Sequence, residues 1–301
     1  MSRLKILIFI FLGITLSVVV YSIYAYRGFL STWKDTYREV KIYEKDTNIP
    51  ETGEKIVSIL LFVIDQEGLR VEGDMDKPGR SDVVLFCVLN METGKITLLS
   101  IPRDLRVRIG PGKFEKLNHA YAYGPEYSIN IIEDLLKFPV NYYIAFNYKA
   151  FDELIDLTGG IRIIPDKAIA SRTNRIDEGF QRMDGEKAMF YVRFRSDHEG
   201  DMGRIRRQQQ VAEAIMKQSI NLHTFFNSGR LFDLAKNNLR HSIPWEFAGE
   251  HGREILSFKG ADFEKITMEG YGVTIDSLWY FIPNRLQLLD IREKLRSELN
   301  D

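Results

Sequence analysis

The stretch Val57-Ser58-Ile59-Leu60-Leu61-Phe62-Val63-Ile64 constrains the fold more than any other part of the chain. It is a short, continuous apolar run closed by Asp65, which reads as a strand buried on both faces with a carboxylate at its C-terminal end. Open α/β sheets place their ligands at that end. A second strand is entered through Arg80-Ser81-Asp82, so Asp82 stands at its mouth, and a third covers Lys95 to Ile101 after a hairpin turn at Glu92-Thr93-Gly94. Pro102-Arg103-Asp104 stops the third strand and puts another arginine and aspartate at a strand end.

Helical periods follow. Ile129, Ile132 and Leu136 form one apolar stripe; Phe151, Leu154, Ile155 and Leu157 form another before the Gly159-Gly160 stop. A strand is expected at Ile161 to Ile164, then a helix capped by Asp184 through Ala188 and Tyr191. A longer helix from Gly203 turns Ile205, Ala212, Ile215 and Met216 inward, and another runs near Leu286 to Leu299. Strands and helices alternate, which predicts the α/β class. Residues 221–301 have a looser texture and no legible chemistry.

Composition narrows the function. Forty-five per cent hydrophobic and 28% charged residues exclude a disordered chain, while 41 basic against 42 acidic side chains leave no global field for nucleic acid. The single cysteine, Cys87, lies inside Val83 to Leu89, where packing is expected instead of reactivity. From Ile6 to Tyr26 there is no charged residue, long enough at helical rise to cross a hydrocarbon core of about 30 Å. Tyr21, Tyr24 and Tyr26 suit a membrane interface and no A-x-A-like exit is present, so an uncleaved anchor is expected. Arg3 and Lys5 before it point the N-terminus to the cytoplasm and the body outward, with residues 27–55 as a polar stalk that has little to bury.

The densest chemistry lies between Tyr191 and Gln210. Arg193 and Arg195 alternate around Phe194 and would share a face if extended; Arg204 and Gln208 share a face of the following helix. Guanidinium forks suit phosphate oxygens, and a helix N-terminus near Gly203 would add backbone donors. A solvated, charge-balanced arginine face is the plainer alternative, although Tyr191, Val192 and Phe194 are too apolar for it. Asp65, Asp82 and Asp104 at strand ends would meet around one hard cation, magnesium or manganese. His119 and His198 stand alone, and no phosphate-binding Gly-x-x-x-x-Gly-Lys loop occurs.

In chain order, Arg80-Ser81-Asp82, Ser100-Ile101-Pro102-Arg103-Asp104, Lys116-Leu117-Asn118-His119-Ala120-Tyr121, Asp156-Leu157-Thr158-Gly159-Gly160, Asp184-Gly185-Glu186-Lys187-Ala188, Tyr191-Val192-Arg193-Phe194-Arg195, Gly200-Asp201-Met202-Gly203-Arg204 and Arg207-Gln208-Gln209 resemble the marks of one family. That family is LytR-CpsA-Psr, membrane-anchored enzymes that attach teichoic acids, capsules and related glycopolymers to peptidoglycan. The match is strongest over residues 56–220. The resemblance implies an α/β/α sandwich with a central mixed sheet and a lipid groove, spanning 56–301 after a tail at 1–5, the anchor at 6–26 and the stalk at 27–55. It implies magnesium-dependent phosphoryl transfer from a polyprenyl-pyrophosphate-linked glycopolymer to a peptidoglycan hydroxyl.

Carried onto this chain, the resemblance makes Asp65 and Asp82 the expected metal carboxylates and Arg80, Arg103, Arg193, Arg195, Arg204 and Gln208 the expected pyrophosphate cradle. Arg103 also belongs to the catalytic set, where either Asp104 or Asp201 orients the acceptor hydroxyl. Two departures stand out where the family often has glycine: Val63, two before Asp65, ranks Asp82 above Asp65 as a metal ligand, and Pro125 reshapes a helix start. A lipid pyrophosphatase and a non-catalytic polyprenyl-lipid binding or regulatory protein are the alternatives.

Overall fold

In the computed structural model the buried run is β1 (Ile56–Asp65), and β2 (Arg80–Asn90) and β3 (Ile96–Ile101) follow it antiparallel. β4 (Arg106–Gly110) and β5 (Lys113–Lys116) form a ribbon, β6 (Tyr142–Asn147) pairs parallel with β1, and β7 (Ile161–Ile163) and β8 (Gln181–Met183) form a second ribbon. β9 (Leu239–His241) and β10 (Phe263–Thr267) close the two edges of a mixed six-stranded sheet ordered β10-β3-β2-β1-β6-β9. β11 (Gly270–Ile275) and β12 (Leu278–Pro283) make a separate hairpin. The residues described are 3–40, 49–53, 55–66, 75–76, 79–173, 175–194, 200–218, 224, 227–257 and 260–299.

The main helices are α1 (Arg3–Thr36), α2 (Pro125–Leu136), α3 (Tyr148–Leu157), α4 (Gly185–Arg193), α5 (Gly200–Gln218), α6 (Ser228–Asn238) and α7 (Arg285–Glu298). Their starts are chemically marked. Asn147 accepts from Ala150 N–H at 2.9 Å and Asp184 from Lys187 N–H at 2.9 Å, each satisfying a donor that the first turn leaves open. Pro125 opens α2 at its first turn after Gly124 at φ 112°, so proline at this departure is compatible with a helix start.

β1 is buried on both faces, as expected. Leu60, Phe62 and Ile64 pack with Ile129 and Ile132 of α2 and Ile291 and Leu295 of α7; Ile59 and Val63 face the opposite core with Ala212 and Met216 of α5. Helices therefore cover both faces of a central mixed sheet.

Four expectations need correction. Arg193 is the last residue of α4, not part of an extended Arg-x-Arg pair, because the apolar spacing of Ala188, Tyr191 and Val192 carries the helix through it. α5 begins at Gly200, three residues before Gly203. Residues 221–301 are not a loose tail: they supply both edge strands, too short to show a local period, together with α6 and α7. The segment expected as a stalk continues α1 to Thr36, and it does bury surface: Thr32 and Thr36 are inside, and Trp33 Nε1 donates to Ile243 O at 3.0 Å. Among the described residues no helix is long and apolar enough to cross a membrane.

Candidate active site at one edge of the sheet

Antiparallel pairing of β1, β2 and β3 brings the end of β1, the start of β2 and the end of β3 to one sheet edge. Asp65, Asp82, Arg103 and Asp104 therefore come together there, and β6, parallel to β1, delivers Tyr148 to the same edge. The pairing register skips Asp82: Val63 lies opposite Val83, and Ile64 opposite Ser81. Asp82 is the extra residue of a β-bulge, which bends a strand and re-aims side chains. A regular pleat would turn Asp82 and Val83 to opposite faces, whereas here both line the same cavity.

That cavity has a volume near 560 Å³. Leu61 and Val63 of β1, Leu85 of β2, Phe146 of β6 and Leu154 of α3 contribute to its apolar wall. Ala212, Ile215 and Met216 of α5 and Leu231, Leu234 and Ala235 of α6 continue it. Asp65, Asp82, Tyr148, Arg193, Arg204 and Gln208 also line it, so a greasy chamber carries a charged end. A second cavity of about 220 Å³ shares Asp82, Val83, Arg204 and Gln208 with the first and adds Arg103, Asp104 and the β11–β12 hairpin.

The charged groups form a continuous relay. Arg103 Nη1 donates to Asp82 Oδ1, and Tyr148 OH donates to Asp82 Oδ2 at 3.1 Å. Arg103 Nε lies 3.5 Å from Asp104 Oδ2, and Lys116 Nζ donates to Asp104 Oδ1 at 2.8 Å. The Arg193 guanidinium stands 4.0 Å over the Tyr148 ring, a cation–π contact that fixes its plane. Burial, and next the Asp82 carboxylate, push the Tyr148 phenol above its ordinary value, so it remains an O–H donor. Tyr148 has no motif around it that marks this role; its only sequence signal is a place just after a strand.

Arg204 and Gln208 share a face of α5 and line both cavities, as their spacing predicts. Arg206 points elsewhere, to an exposed ion pair with Asp166. Arg207 is fully buried and donates through Nη2 to Phe194 O, tying the end of α4 to α5. Arg80 is exposed opposite Asp65 and lines neither cavity. Arg195 and His198 lie outside the described residues, and the Asp201 side chain does also. His119 pairs with Glu115 at 2.8 Å, away from both cavities. Burial raises the Cys87 thiol to about 12, which removes it from chemistry.

The three aspartates reach the same end of the sheet but do not converge on one ion position. Asp104 is engaged by Lys116 and Arg103, and among the described residues no group of three His, Cys, Asp or Glu side chains is placed to hold a metal. Asp65 and Asp82 face the larger cavity, and Asp82 and Asp104 the smaller.

A family model, the LytR_cpsA_psr family, matches residues 22–297. The chain belongs to this family. Among its relatives is the polyisoprenyl-teichoic acid–peptidoglycan teichoic acid transferase TagU of Halalkalibacterium halodurans, 28% identical with 99% of each chain covered. The Bacillus mycoides protein of the same name is 30% identical, with 98% of each chain covered. Among solved structures, "TagT bound to LI-WTA" superposes with a TM-score of 0.70 at 26% identity, over 88% of this chain and 100% of that one.

As a LytR_cpsA_psr protein the chain is a transferase. The family match reaches well past the motif-bearing residues into α6, β11–β12 and α7. Those elements wall the two cavities or cover the sheet.

Proposed function

We propose that this enzyme moves a glycopolymer, of the teichoic acid or capsule type, from a polyprenyl-pyrophosphate carrier to a peptidoglycan hydroxyl. The observation that carries the reading is the apolar chamber ending in Asp82, Arg193, Arg204 and Gln208. A long isoprenoid needs a greasy sleeve and its pyrophosphate needs cations at one end, a pairing that suits no free sugar nucleotide. The TagT structure with LI-WTA and the relatives named for teichoic acid transfer support the same substrate class.

Asp65 and Asp82, two hard-oxygen donors facing one chamber, fit a magnesium ion, which usually takes one or two protein carboxylates and fills its remaining positions with water and phosphate. When bound, magnesium would neutralise charge on the pyrophosphate. Arg193 and Arg204 would hold phosphate oxygens, Arg103 would orient Asp82 while meeting the transferred phosphoryl group, and Gln208 would donate to a bridging or terminal oxygen. The acceptor oxygen bonds to the sugar-linked phosphorus as its bond to polyprenyl phosphate breaks. The electron pair leaves with that phosphate, and the acceptor proton passes to a carboxylate, for which Asp104 is in place. We further propose that the first part of α1 anchors the chain, with the N-terminus cytoplasmic and the body outside.

The test is to supply the full chain in detergent with magnesium and a lipid-linked glycopolymer. Lipid release should be slow in water and much faster with peptidoglycan oligomers, with the polymer recovered on the oligomer through a phosphodiester. One rate with and without oligomers, and all polymer free, would make the protein a pyrophosphatase. Bound lipid that never turns over would make it a binding protein.

A further inference from the structure

Beyond the residues it shares with the large chamber, the second cavity is lined by Arg103, Asp104 and the β11–β12 hairpin. In phosphoryl transfer the attacking and leaving oxygens lie roughly in line across the phosphorus. If the leaving polyprenyl phosphate occupies the large chamber, the attacking hydroxyl arrives from the far side of the wall formed by Asp82, Arg204 and Gln208. The smaller cavity adjoins the large one at that wall, sharing Asp82, Val83, Arg204 and Gln208 with it, and so offers the approach. Its volume of about 220 Å³ falls below that of a drug-sized pocket and suits a single ring.

One side of this cavity carries paired charges and is anchored. Asp104, held by Lys116, lines it, and Asp104 O accepts from Phe281 N–H at 2.9 Å, which ties the β11–β12 hairpin to the same residue. The other side is aromatic. Trp279 lines the cavity yet is 43% exposed, and its indole sits so close to Gly272 that a Cβ there would lie 2.6 Å from Nε1. Glycine at 272 is thus what lets the indole lie across the hairpin at the cavity rim. An exposed tryptophan and a part-buried carboxylate lining one cavity match a sugar, which presents an apolar C–H face and a hydroxyl edge.

We propose that the smaller cavity is the acceptor subsite, where Trp279 supports one sugar ring of the peptidoglycan glycan while Asp104 receives its hydroxyl. This rests on the phosphotransferase reading for its chemistry, but the glycan contact stands on its own geometry. Asp104 then accepts the proton as the oxygen bonds to phosphorus.

The experiment compares the wild type with Trp279→Ala and Trp279→Phe, full chains in detergent. Transfer is measured against oligomer and donor separately, and oligomer binding alone is followed by indole fluorescence. In Trp279→Ala the KM for oligomer should rise about five- to tenfold, the size of a lost aromatic contact, with the donor KM unchanged. Trp279→Phe should recover most of it. If Trp279→Ala melts early, Trp279→Leu keeps the bulk and removes the ring. An unchanged oligomer KM, or a rise in donor KM instead, would overturn the subsite. If the wild type transfers nothing, the phosphotransferase reading fails separately; oligomer-dependent quenching lost in Trp279→Ala would still support the glycan site, and no quenching in the wild type would overturn it.

Discussion

Asp82 carries more of this site than its place at a strand mouth implies, because it accepts from both Arg103 and Tyr148 while facing the chamber. Asp82→Asn should weaken magnesium binding by about tenfold or more, since even indirect partners of a metal cost that much. Titration calorimetry with a pyrophosphate lipid present reads this directly, and unchanged affinity would remove Asp82 from the metal site. The arginines divide in the same way. Arg193→Ala should cost about 1.5–3 kcal/mol of pyrophosphate binding, the range for a hydrogen bond to a charged group. Arg206→Ala should cost that binding well under ~1 kcal/mol, because Arg206 lines neither cavity and is turned to an exposed pair with Asp166. Equal losses at both would make the stretch a diffuse basic patch. Both arginines sit in one run of sequence, and only the helix positions of α4 and α5 separate them.

At the scale of elements, α6 joins two parts that are far apart in sequence. One side carries Leu231, Leu234 and Ala235 into the chamber wall. Its contacts with α1 include Tyr21 OH to Ser228 Oγ at 3.0 Å and the close approach of Phe232 to Gly28, where a Cβ would lie 2.7 Å from the ring. Gly28→Val should therefore push α6 from α1, destabilise by about 1–3 kcal/mol and raise the donor KM, since the wall moves with the helix. Thermal melts and donor titrations check the two effects separately; a lower melting temperature with an unchanged KM would mean the wall does not follow α1. In sequence the glycine lies just past the uncharged run, at the start of the segment read as a stalk, and nothing marks it. Its purpose appears only when Phe232 is placed against it.

For the whole molecule, the junction between α1 and the sheet centres on His241 in edge strand β9. Its Nε2 is 3.0 Å from Thr36 Oγ1, Nδ1 accepts from Ile243 N–H at 3.2 Å, and the Trp33 ring packs edge-on at 4.6 Å. Burial, aided by the Arg38 charge, lowers its pKa to about 4, so the folded state holds it neutral. Between about pH 6.5 and 4 the unfolded chain binds the extra proton and the folded chain does not, so stability is complete above the unfolded pKa and falls as pH drops through this window. The loss is on the order of 3 kcal/mol at the acid end. Urea unfolding across this range should show that slope in the wild type and a flatter one in His241→Gln; parallel slopes would rule out His241 as the cause. Local signals were legible because they depend on neighbours a few positions away: the buried run of β1, the Asp184 cap, and the four-residue spacing of Arg204 and Gln208. They sufficed to place Asp65, Asp82, Arg103 and Asp104 at strand ends. Only the tertiary structure decided that a bulge turns Asp82 into the chamber, that Tyr148 bridges it to Arg193, and that α6 and β11–β12 build the walls. The two Tyr148 contacts join residues 66 and 45 positions apart, where no periodicity or cap records the pairing and packing alone selects it.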